Sequence, residues 1–197
     1  MEEIFQVFNN LKFNWSFIEC LAVLSSVIYV VLAAKENIWC WLAAFISVSL
    51  YTYICYTSQL YPETGLQIFY LIMAIVGYLM WDNKDNRKIK EWTVSKHLFT
   101  IFIGTIITFL SGYYFTNFTD SVMPVTDSFT TVFSIIATYM LVKKVLGNWL
   151  YWIIIDIVSV YIYFNRDLHL TSLLFMIYSL IAISGYVTWI KRMKKDV

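Results

Sequence analysis

Seven long apolar segments constrain this chain more than any other feature of its sequence. They cover residues 17–34, 38–56, 65–81, 98–114, 126–142, 149–164 and 170–190. A helix needs about 20 mostly apolar residues to cross the hydrocarbon layer of a bilayer, and about 17 suffice. Only 14% of the residues are charged, against about 25% in soluble domains, and 60% are hydrophobic. A soluble core of this size cannot hide that much apolar surface, so the chain is predicted to lie in a membrane.

The segments are predicted to be helices, which makes the chain an all-α polytopic membrane protein with seven transmembrane helices. Open sheet edges and irregular backbone leave polar groups that lipid cannot pair, and the alternation typical of membrane barrel strands is missing. Pro62 and Pro124 are predicted to fall between helices. Cys20, Cys40 and Cys55 lie in apolar segments without CxxC spacing, which indicates buried thiols rather than a redox or metal site.

The positions of lysine and arginine predict the orientation of the helices. With seven spans, twelve of the fourteen Lys and Arg residues fall on the side of the C-terminus, and only Lys12 and Arg166 fall on the other. Short cytoplasmic loops are enriched in these residues. The N-terminus is therefore expected outside the cell or in the periplasm, and the C-terminus in the cytoplasm.

An internal repeat relates the third segment to the seventh. Eight positions match without a gap, and Gly-Tyr-x-x-Trp closes both segments, at residues 77–81 and 185–189. The distance along the chain from Gly77 to Gly185 is called the repeat offset below. The second and sixth segments match less regularly, as NIWCW against NWLYW, at a slightly larger and variable offset.

The repeat predicts how the chain is organised. The prediction is a single membrane domain, residues 1–197, in which three-helix repeats at 15–81 and 126–190 flank a linker helix at 97–115. With one helix between them, the two repeats have the same orientation in the membrane. Parallel repeats of this kind form transporters with a substrate site near the bilayer midplane.

Asp156 is the residue that a membrane helix should tolerate least. A charge at the centre of a membrane helix costs about 2.5–3.5 kcal/mol on insertion scales, and such groups usually face a cavity or a partner. Trp149, Trp152 and Asp156 follow the spacing of one helical face. Indole rings and a carboxylate can together hold a flat cationic heterocycle. The alternative is an interhelical polar pair with tryptophans at the membrane interface, and Trp149 is interpreted as such an anchor.

Other polar and aromatic residues complete the candidate substrate site. Gln67 is predicted two residues inside its helix, where an amide can bind a ligand or cap and pack the helix. Trp41 is the candidate for a second aromatic wall, and Ser47 is either a ligand or a helix-packing residue. The full set of candidate substrate-binding residues is Trp41, Ser47, Gln67, Tyr70, Asn148, Trp152, Asp156 and Tyr178.

Motifs of membrane enzymes and ATP-driven pumps are absent. The sequence has no GxxxxGK[ST], HExxH or GxSxG, and neither His97 nor His169 has a partner at metal-ligand spacing. The net charge of +1 gives no basic nucleic-acid footprint. The chain is therefore expected not to be an enzyme, to need no cofactor or metal, and to bind no nucleic acid.

Several motifs together resemble the nicotinamide riboside transporter (PnuC) family. They lie in LYPETGLQIFYLIMAIVGYLMW, in VTDSFTTVFSIIATYMLVKKVLGNWLYWIIIDIVSV and in SGYVTW, and the likeness covers about residues 15–190. The positions that match the family pattern are Leu60-Tyr61, Leu66-Gln67, Gly77, Trp81, Asp127-Ser128, Asn148-Trp149, Trp152 and Asp156.

The resemblance implies a SWEET-like three-plus-one-plus-three fold and a homotrimer with one path in each protomer. It also implies passive uptake of nicotinamide riboside, an NAD precursor, through a bacterial inner membrane by alternating access. Some nicotinamide riboside carriers have Asn where this chain has Ser47, taken as the near-symmetry mate of Asp156, and related carriers take thiamine. Thiamine is therefore an alternative substrate. A non-transporting membrane scaffold or sensor with the duplicated fold is the alternative from another class.

Overall fold

The computed structural model describes residues 17–82, 88–118 and 122–195, without the side chains of residues 61 and 62, and these parts form seven α-helices. The helices are α1 (Phe17–Ala34), α2 (Cys40–Thr57), α3 (Tyr61–Asp82), α4 (Val94–Phe118), α5 (Pro124–Val142), α6 (Asn148–Asn165) and α7 (His169–Met193). Among the described helices, six are long and apolar enough to cross a membrane. The exception is α6. Its length of 18 residues equals that of α1 and α2, but its asparagines and Asp156 lower its mean hydropathy. The prediction of an all-helical, multi-pass membrane protein is confirmed.

Two of the helices that begin earlier than the apolar segments predict have a proline in their first turn. Pro62 lies in the first turn of α3, and Pro124 is the first residue of α5. Proline suits a first helical turn, because the N–H that it lacks has no partner inside the helix there. The prediction that both prolines lie between helices is therefore wrong. As a result, Gln67 lies in the second turn of α3, beyond the residues that cap a helix.

Six of the helices form a closed ring. In the first half of the chain, α2 packs between α1 and α3, and in the second half α6 packs between α5 and α7. The ring closes where α3 meets α5 and where α7 meets α1. Helix α4 packs on the outside, against α5, where Gly104 meets Phe133 and Ile136. This cover explains why 44% of the α5 span is buried, against 17% of the α1 span.

One end of the ring carries Lys35, Lys143, Lys144, Lys191 and Arg192, and we call it the basic end. Four tryptophans, which we call the four-indole cluster, fill the core there: Trp41, Trp81, Trp149 and Trp189. Neighbouring rings meet at centroid distances of 5.3, 6.0 and 5.5 Å, two of them edge to face, a favourable geometry for aromatic pairs. All four side chains are at most 5% exposed. The interpretation of Trp149 as a membrane-interface anchor is therefore wrong.

Two glycines allow this close packing. A Cβ atom on Gly77 would lie 2.5 Å from the Trp41 ring, and one on Gly185 would lie 2.8 Å from the Trp149 ring. Both distances are shorter than carbon atoms tolerate, so neither position has room for a side chain. The glycine of each Gly-Tyr-x-x-Trp motif therefore packs against the indole ring of a tryptophan on the neighbouring helix of the same half.

The tryptophan of each motif joins one half of the chain to the other. Trp81 Nε1 donates to the carbonyl oxygens of Leu141, at 3.3 Å, and Val142, at 3.2 Å, at the end of α5. Trp189 Nε1 donates to the carbonyl of Ala33, at 3.2 Å, at the end of α1. The last carbonyls of a helix lack the partner that a further turn would supply. The carbonyls of Ala33 and Leu141 also accept from the backbone N–H groups of Glu36 and Lys144, each at 2.9 Å, so the indoles add a second donor at these buried helix ends.

Candidate functional site

Asp156 lies on α6 and is buried within the ring of helices, with 3% of its surface exposed. Among the residues that the structure describes, its carboxylate forms no ion pair or hydrogen bond. The described residues therefore do not support an interhelical polar pair at this position. A buried carboxylate without a partner is unfavourable unless a cation or a polar ligand compensates it. Asp156 is thus available to a bound cation.

A hydrogen-bonded group of three hydroxyls approaches this carboxylate through Tyr178, and we call these residues the Asp156 cluster: Ser26, Tyr51, Asp156 and Tyr178. The Tyr178 hydroxyl lies 2.5 Å from Ser26 Oγ, and Tyr51 is also hydrogen-bonded to Ser26. Tyr178 lies within electrostatic range of both Tyr51 and Asp156. The four residues come from α1, α2, α6 and α7, so the cluster lies where the two halves of the ring meet.

A related arrangement without a carboxylate lies at the other contact between the halves. Tyr70 on α3 is hydrogen-bonded to Ser134 on α5, as Tyr178 on α7 is to Ser26 on α1. Tyr29 lies within electrostatic range of Tyr70 and packs on the Trp41 ring at a centroid distance of 6.1 Å. Tyr70 and Tyr178, both predicted site residues, therefore also form hydrogen bonds that link the two halves.

Aromatic side chains lie on both sides of Asp156 along α6. Trp152, one turn nearer the basic end, is half-buried and packs against both apolar core clusters of the molecule. On the other side, Tyr163 stacks on Phe175 at 5.2 Å with an interplanar angle of 9°, and Phe175 meets Tyr178 edge to face at 5.8 Å. A flat ring beside Asp156 would therefore find aromatic surfaces along the helix in both directions.

Gln67 is half-buried in the second turn of α3, and within the described residues its amide forms no hydrogen bond. An amide offers two donors and one acceptor oxygen, so this side chain retains its full capacity for a polar ligand. Among the described residues, no contact joins Gln67 to the Asp156 cluster. Gln67 therefore remains a candidate from the first half of the chain.

Three buried residues at the basic end each have a polar atom without a hydrogen-bond partner among the described residues. Asn148 is fully buried and donates from Nδ2 to the Val145 carbonyl at 2.7 Å, whereas its Oδ1 has no partner among the described residues. The indole nitrogens of Trp41 and Trp149 are likewise buried and unpaired within the described chain. Most buried polar atoms in proteins are hydrogen-bonded, so each of these three atoms is a candidate partner for a polar ligand. Trp41 packs with Trp81 and Tyr29, and no described contact brings it opposite Trp152.

Ser47 has a structural partner. Its hydroxyl donates to the carbonyl of Ala22 at 3.0 Å and the residue is 3% exposed, so it links α2 to α1. Of the two interpretations, the contact favours packing. The view of Ser47 as the near-symmetry mate of Asp156 stays a prediction, although the contacts of Gly77 and Gly185 with indoles recur at the repeat offset and indicate another pairing. That offset pairs Ser47 with Ile155, and it pairs Asp156 with Val48.

Ser26 and Tyr51 belong to the Asp156 cluster but are not among the predicted site residues. The repeat offset pairs Ser26 with Ser134, a signal that was available in the sequence. Tyr51 is one of fifteen tyrosines and nothing local distinguishes it.

Within the described part of the chain, no group of three metal-binding side chains occurs. Cys40 is buried as expected, whereas Cys20 lies exposed on the outer surface of α1.

Comparison with known proteins places this arrangement in a family. A family model described as "Nicotinamide mononucleotide transporter" matches residues 16–191. Similar curated proteins are the nicotinamide riboside transporters PnuC of Escherichia coli K12, 27% identical over 90% of this chain and 87% of the relative, and of Neisseria mucosa, 26% identical over 91% and 74%.

A solved structure matches as well. It is described as "Crystal structure of the Vitamin B3 transporter PnuC", is 26% identical, and superposes with a TM-score of 0.74 over 98% of this chain and 87% of the other. These matches support the resemblance to PnuC proteins, whereas they give no support to the SWEET-like label. The match to the family model covers Asp156, Trp152 and Gln67 together with all seven helices, and the chain belongs to the nicotinamide mononucleotide transporter family.

Proposed function

We propose that this protein transports nicotinamide riboside, an NAD precursor, across a bacterial inner membrane. The relatives named above are nicotinamide riboside transporters, and the fold matches that of a vitamin B3 transporter. The observation that carries the proposal to this chain is Asp156, a carboxylate buried in the ring without an ion-pair partner among the described residues. Nicotinamide riboside supplies the missing cation, because its pyridinium ring carries a fixed positive charge.

The parts of the substrate fit the chemistry of the candidate residues. The pyridinium lies beside Asp156 and stacks on an aromatic face, for which Trp152 is the nearest candidate along α6. The ribose hydroxyls bind to the hydroxyls of Tyr178 and Tyr51. The carboxamide binds Gln67, whose amide has no described partner, and amide pairs form two complementary hydrogen bonds.

The charges of the ring favour nicotinamide riboside as the substrate over nicotinamide mononucleotide, the compound named in the family's description. A phosphate monoester carries about −1.5 to −2 charges at neutral pH. Asp156 repels such a group. At the ends of the ring, Lys144 and Arg192 are paired with Glu36, and Arg166 is paired with Asp127, so these cations are already compensated. A phosphate entering the ring finds no free cation among these residues.

The two alternatives have weaker support. Thiamine is also a cationic aromatic vitamin and satisfies Asp156 equally well, but the relatives named here carry the riboside name. A non-transporting scaffold or sensor does not need an unpaired carboxylate in its core, which is costly to keep buried.

Uptake into proteoliposomes tests the proposal directly. We expect saturable uptake of labelled nicotinamide riboside, weaker uptake of thiamine, and no uptake of nicotinamide mononucleotide. Nicotinic acid riboside is the sharpest control, because a carboxylate replaces the carboxamide while the shape stays nearly the same. It should compete poorly, since the added negative charge faces Asp156. Equal transport of both ribosides would contradict the role given to that residue.

We also propose that the ring consists of two parallel three-helix repeats that rock against each other, which gives alternating access. Several contacts recur at the one repeat offset, including contacts of α2 and α6, for which the sequence alone suggested a variable offset. The equivalent pairs are Ser26 and Ser134, Trp41 and Trp149, Tyr70 and Tyr178, Gly77 and Gly185, and Trp81 and Trp189. Left-handed backbone also recurs, at Glu36 and Lys144 and at Gln59 and Asp167.

The orientation, energy source and assembly belong to the same proposal. The basic end faces the cytoplasm, so an impermeant thiol reagent applied to cells should label a cysteine at Ser58 and spare one at Lys90.

Transport is passive, so a protonophore should not lower the uptake of the riboside, and the substrate should not accumulate above its external concentration. The protein is a homotrimer, which mass measurement in lipid nanodiscs tests.

A further inference from the structure

An ion-pair network joins the two halves of the ring at the basic end. Lys144 Nζ lies 2.7 Å from Glu36 Oε1, and Arg192 Nη1 lies 3.0 Å from Glu36 Oε2. Glu36 belongs to the first half, and both cations belong to the second. The Lys144 and Glu36 side chains are only 7% and 11% exposed, so water screens this contact weakly. Separating the halves at this end requires that the network break.

Glu36 and Lys144 hold equivalent places in the two halves. Each follows the last turn of a helix, Glu36 after α1 and Lys144 after α5, and each has a left-handed backbone, with φ of 56° and 51°. A contact between equivalent positions lies on the axis that relates the halves. Lys144 Nζ also lies 4.7 Å above the Trp81 ring. The network therefore lies directly on the four-indole cluster, and together they close the basic end in two layers.

The opposite end has a different arrangement. An ion pair at this end joins Arg166 to Asp127, also at 2.7 Å, but both residues belong to the second half. These side chains are 29% and 34% exposed, so the pair is better screened than the one at the basic end. A movement of one half against the other leaves this pair intact.

We propose that Glu36, Lys144 and Arg192 form the gate that holds the basic end closed during transport. The proposal rests on the alternating access proposed above. Opening toward the basic end separates Glu36 from both cations, and the four-indole cluster then parts between Trp81 and Trp189, which belong to different halves. Removing one partner of a buried ion pair leaves an uncompensated charge, which weakens the closed state relative to the open one.

The buried thiol of Cys40 reports on this gate. It is fully buried at the start of α2, next to Trp41 and beneath the network, whereas Cys20 and Cys55 lie elsewhere. In a protein with Cys20→Ala and Cys55→Ala, an impermeant maleimide added at the basic side should label Cys40 slowly. Glu36→Gln should raise that rate at least about tenfold, the effect of 1.4 kcal/mol on an equilibrium. Arg192→Gln removes only the half-exposed partner, keeps the buried pair, and should raise the rate less.

The control is the ion pair of the same length at the opposite end. Asp127→Asn should leave the labelling rate of Cys40 unchanged, because that pair lies within one half. Unchanged labelling in both Glu36→Gln and Arg192→Gln, or an equal increase in Asp127→Asn, would overturn the gate.

A covalent lock tests the consequence for transport. In a background with Cys40→Ala as well, a short bifunctional methanethiosulfonate should join cysteines placed at Glu36 and Lys144. We expect uptake of nicotinamide riboside to stop while binding from the opposite side persists, and reduction to restore uptake. Full uptake by cross-linked protein rejects the gate and leaves the proposed substrate intact. Absence of riboside binding in the unmodified protein rejects the substrate, while the Cys40 labelling still tests the gate.

Discussion

The two halves of the ring have the same framework and different chemistry. Several equivalent positions hold the same residue and build a shared framework: two glycines pack on two indoles, two tryptophans donate to carbonyls at two helix ends, and two tyrosines bind two serines across the halves. Three of these residues, Trp41, Tyr70 and Tyr178, are also candidates for the substrate site. At five other equivalent positions the residues differ, and at least one residue of each pair belongs to the candidate site or to the proposed gate. The differing pairs are Glu36 and Lys144, Cys40 and Asn148, Ala44 and Trp152, Val48 and Asp156, and Gln67 and Phe175.

This division has a physical reason. Nicotinamide riboside has a cationic ring at one end and a neutral sugar at the other, so a symmetric pair of sites cannot match both. In the alternating access proposed above, a ring built from two similar frameworks would supply two similar end states. The substitutions within each pair then supply a carboxylate and an indole on one side and an amide on the other.

The largest expected effects come from the shared framework. Trp41→Ala and Trp149→Ala each remove a buried indole, which typically lowers the free energy of unfolding by about 3–5 kcal/mol. The two variants should lose similar stability in denaturant titrations in detergent, because both indoles pack on a glycine and an edge-on tryptophan. A stable Trp149→Ala protein beside an unstable Trp41→Ala protein would show that the halves are not equivalent.

Asp156→Asn tests the difference between the halves. It keeps the shape of the side chain and removes its charge, so the affinity for nicotinamide riboside should fall by about 1–3 kcal/mol, or roughly 5–150-fold. Calorimetric titration of the purified protein measures this change. The matched control is Val48→Asn, at the equivalent position of the first half, which should leave affinity within about twofold, well under 1 kcal/mol. Equal losses in the two variants would place the cation elsewhere.

Gly77→Ala tests how tightly the framework is packed. A methyl group 2.5 Å from the Trp41 ring overpacks the core, which typically costs about 1–3 kcal/mol of stability. Gly65→Ala is the control on the same helix, because nothing lies within 4 Å of its Cβ position. That variant should gain up to about 1 kcal/mol from helix propensity. Thermal unfolding should therefore shift in opposite directions, and a loss in both variants would argue against the close approach of α2 and α3.

Ser47→Ala has the smallest expected effect and separates packing from binding. It removes one hydrogen bond between α2 and α1, so stability should fall by about 0.5–1.5 kcal/mol. The affinity for nicotinamide riboside should not change, since the hydroxyl is committed to the Ala22 carbonyl. Gln67→Leu should show the reverse pattern, with weaker binding and retained stability. Weaker binding by Ser47→Ala would restore that residue to the substrate site.

The sequence by itself determined the helices and the family. A segment that must avoid unpaired backbone groups in lipid has almost no choice but a helix, and its length follows from the thickness of the hydrocarbon layer. Asp156 was identifiable for the same reason, because a charge inside a membrane helix stands out against its neighbours. The Gly-Tyr-x-x-Trp ends of α3 and α7 also revealed the repeat offset at which their contacts recur.

Only the tertiary structure decided which residues meet. Trp149 and Trp152 lie three residues apart on one helix, yet Trp149 is buried against Gly185 and Trp152 is half-buried near Asp156. Helical spacing gives the face of a residue but not the helix that covers it. Ser26 on α1 and Tyr51 on α2, in the other half of the chain, are linked to Tyr178, which in turn interacts with Asp156. The contact of Glu36 with Lys144 likewise depends on how the ring closes, because hydropathy constrains each helix alone and leaves its neighbours to side-chain packing.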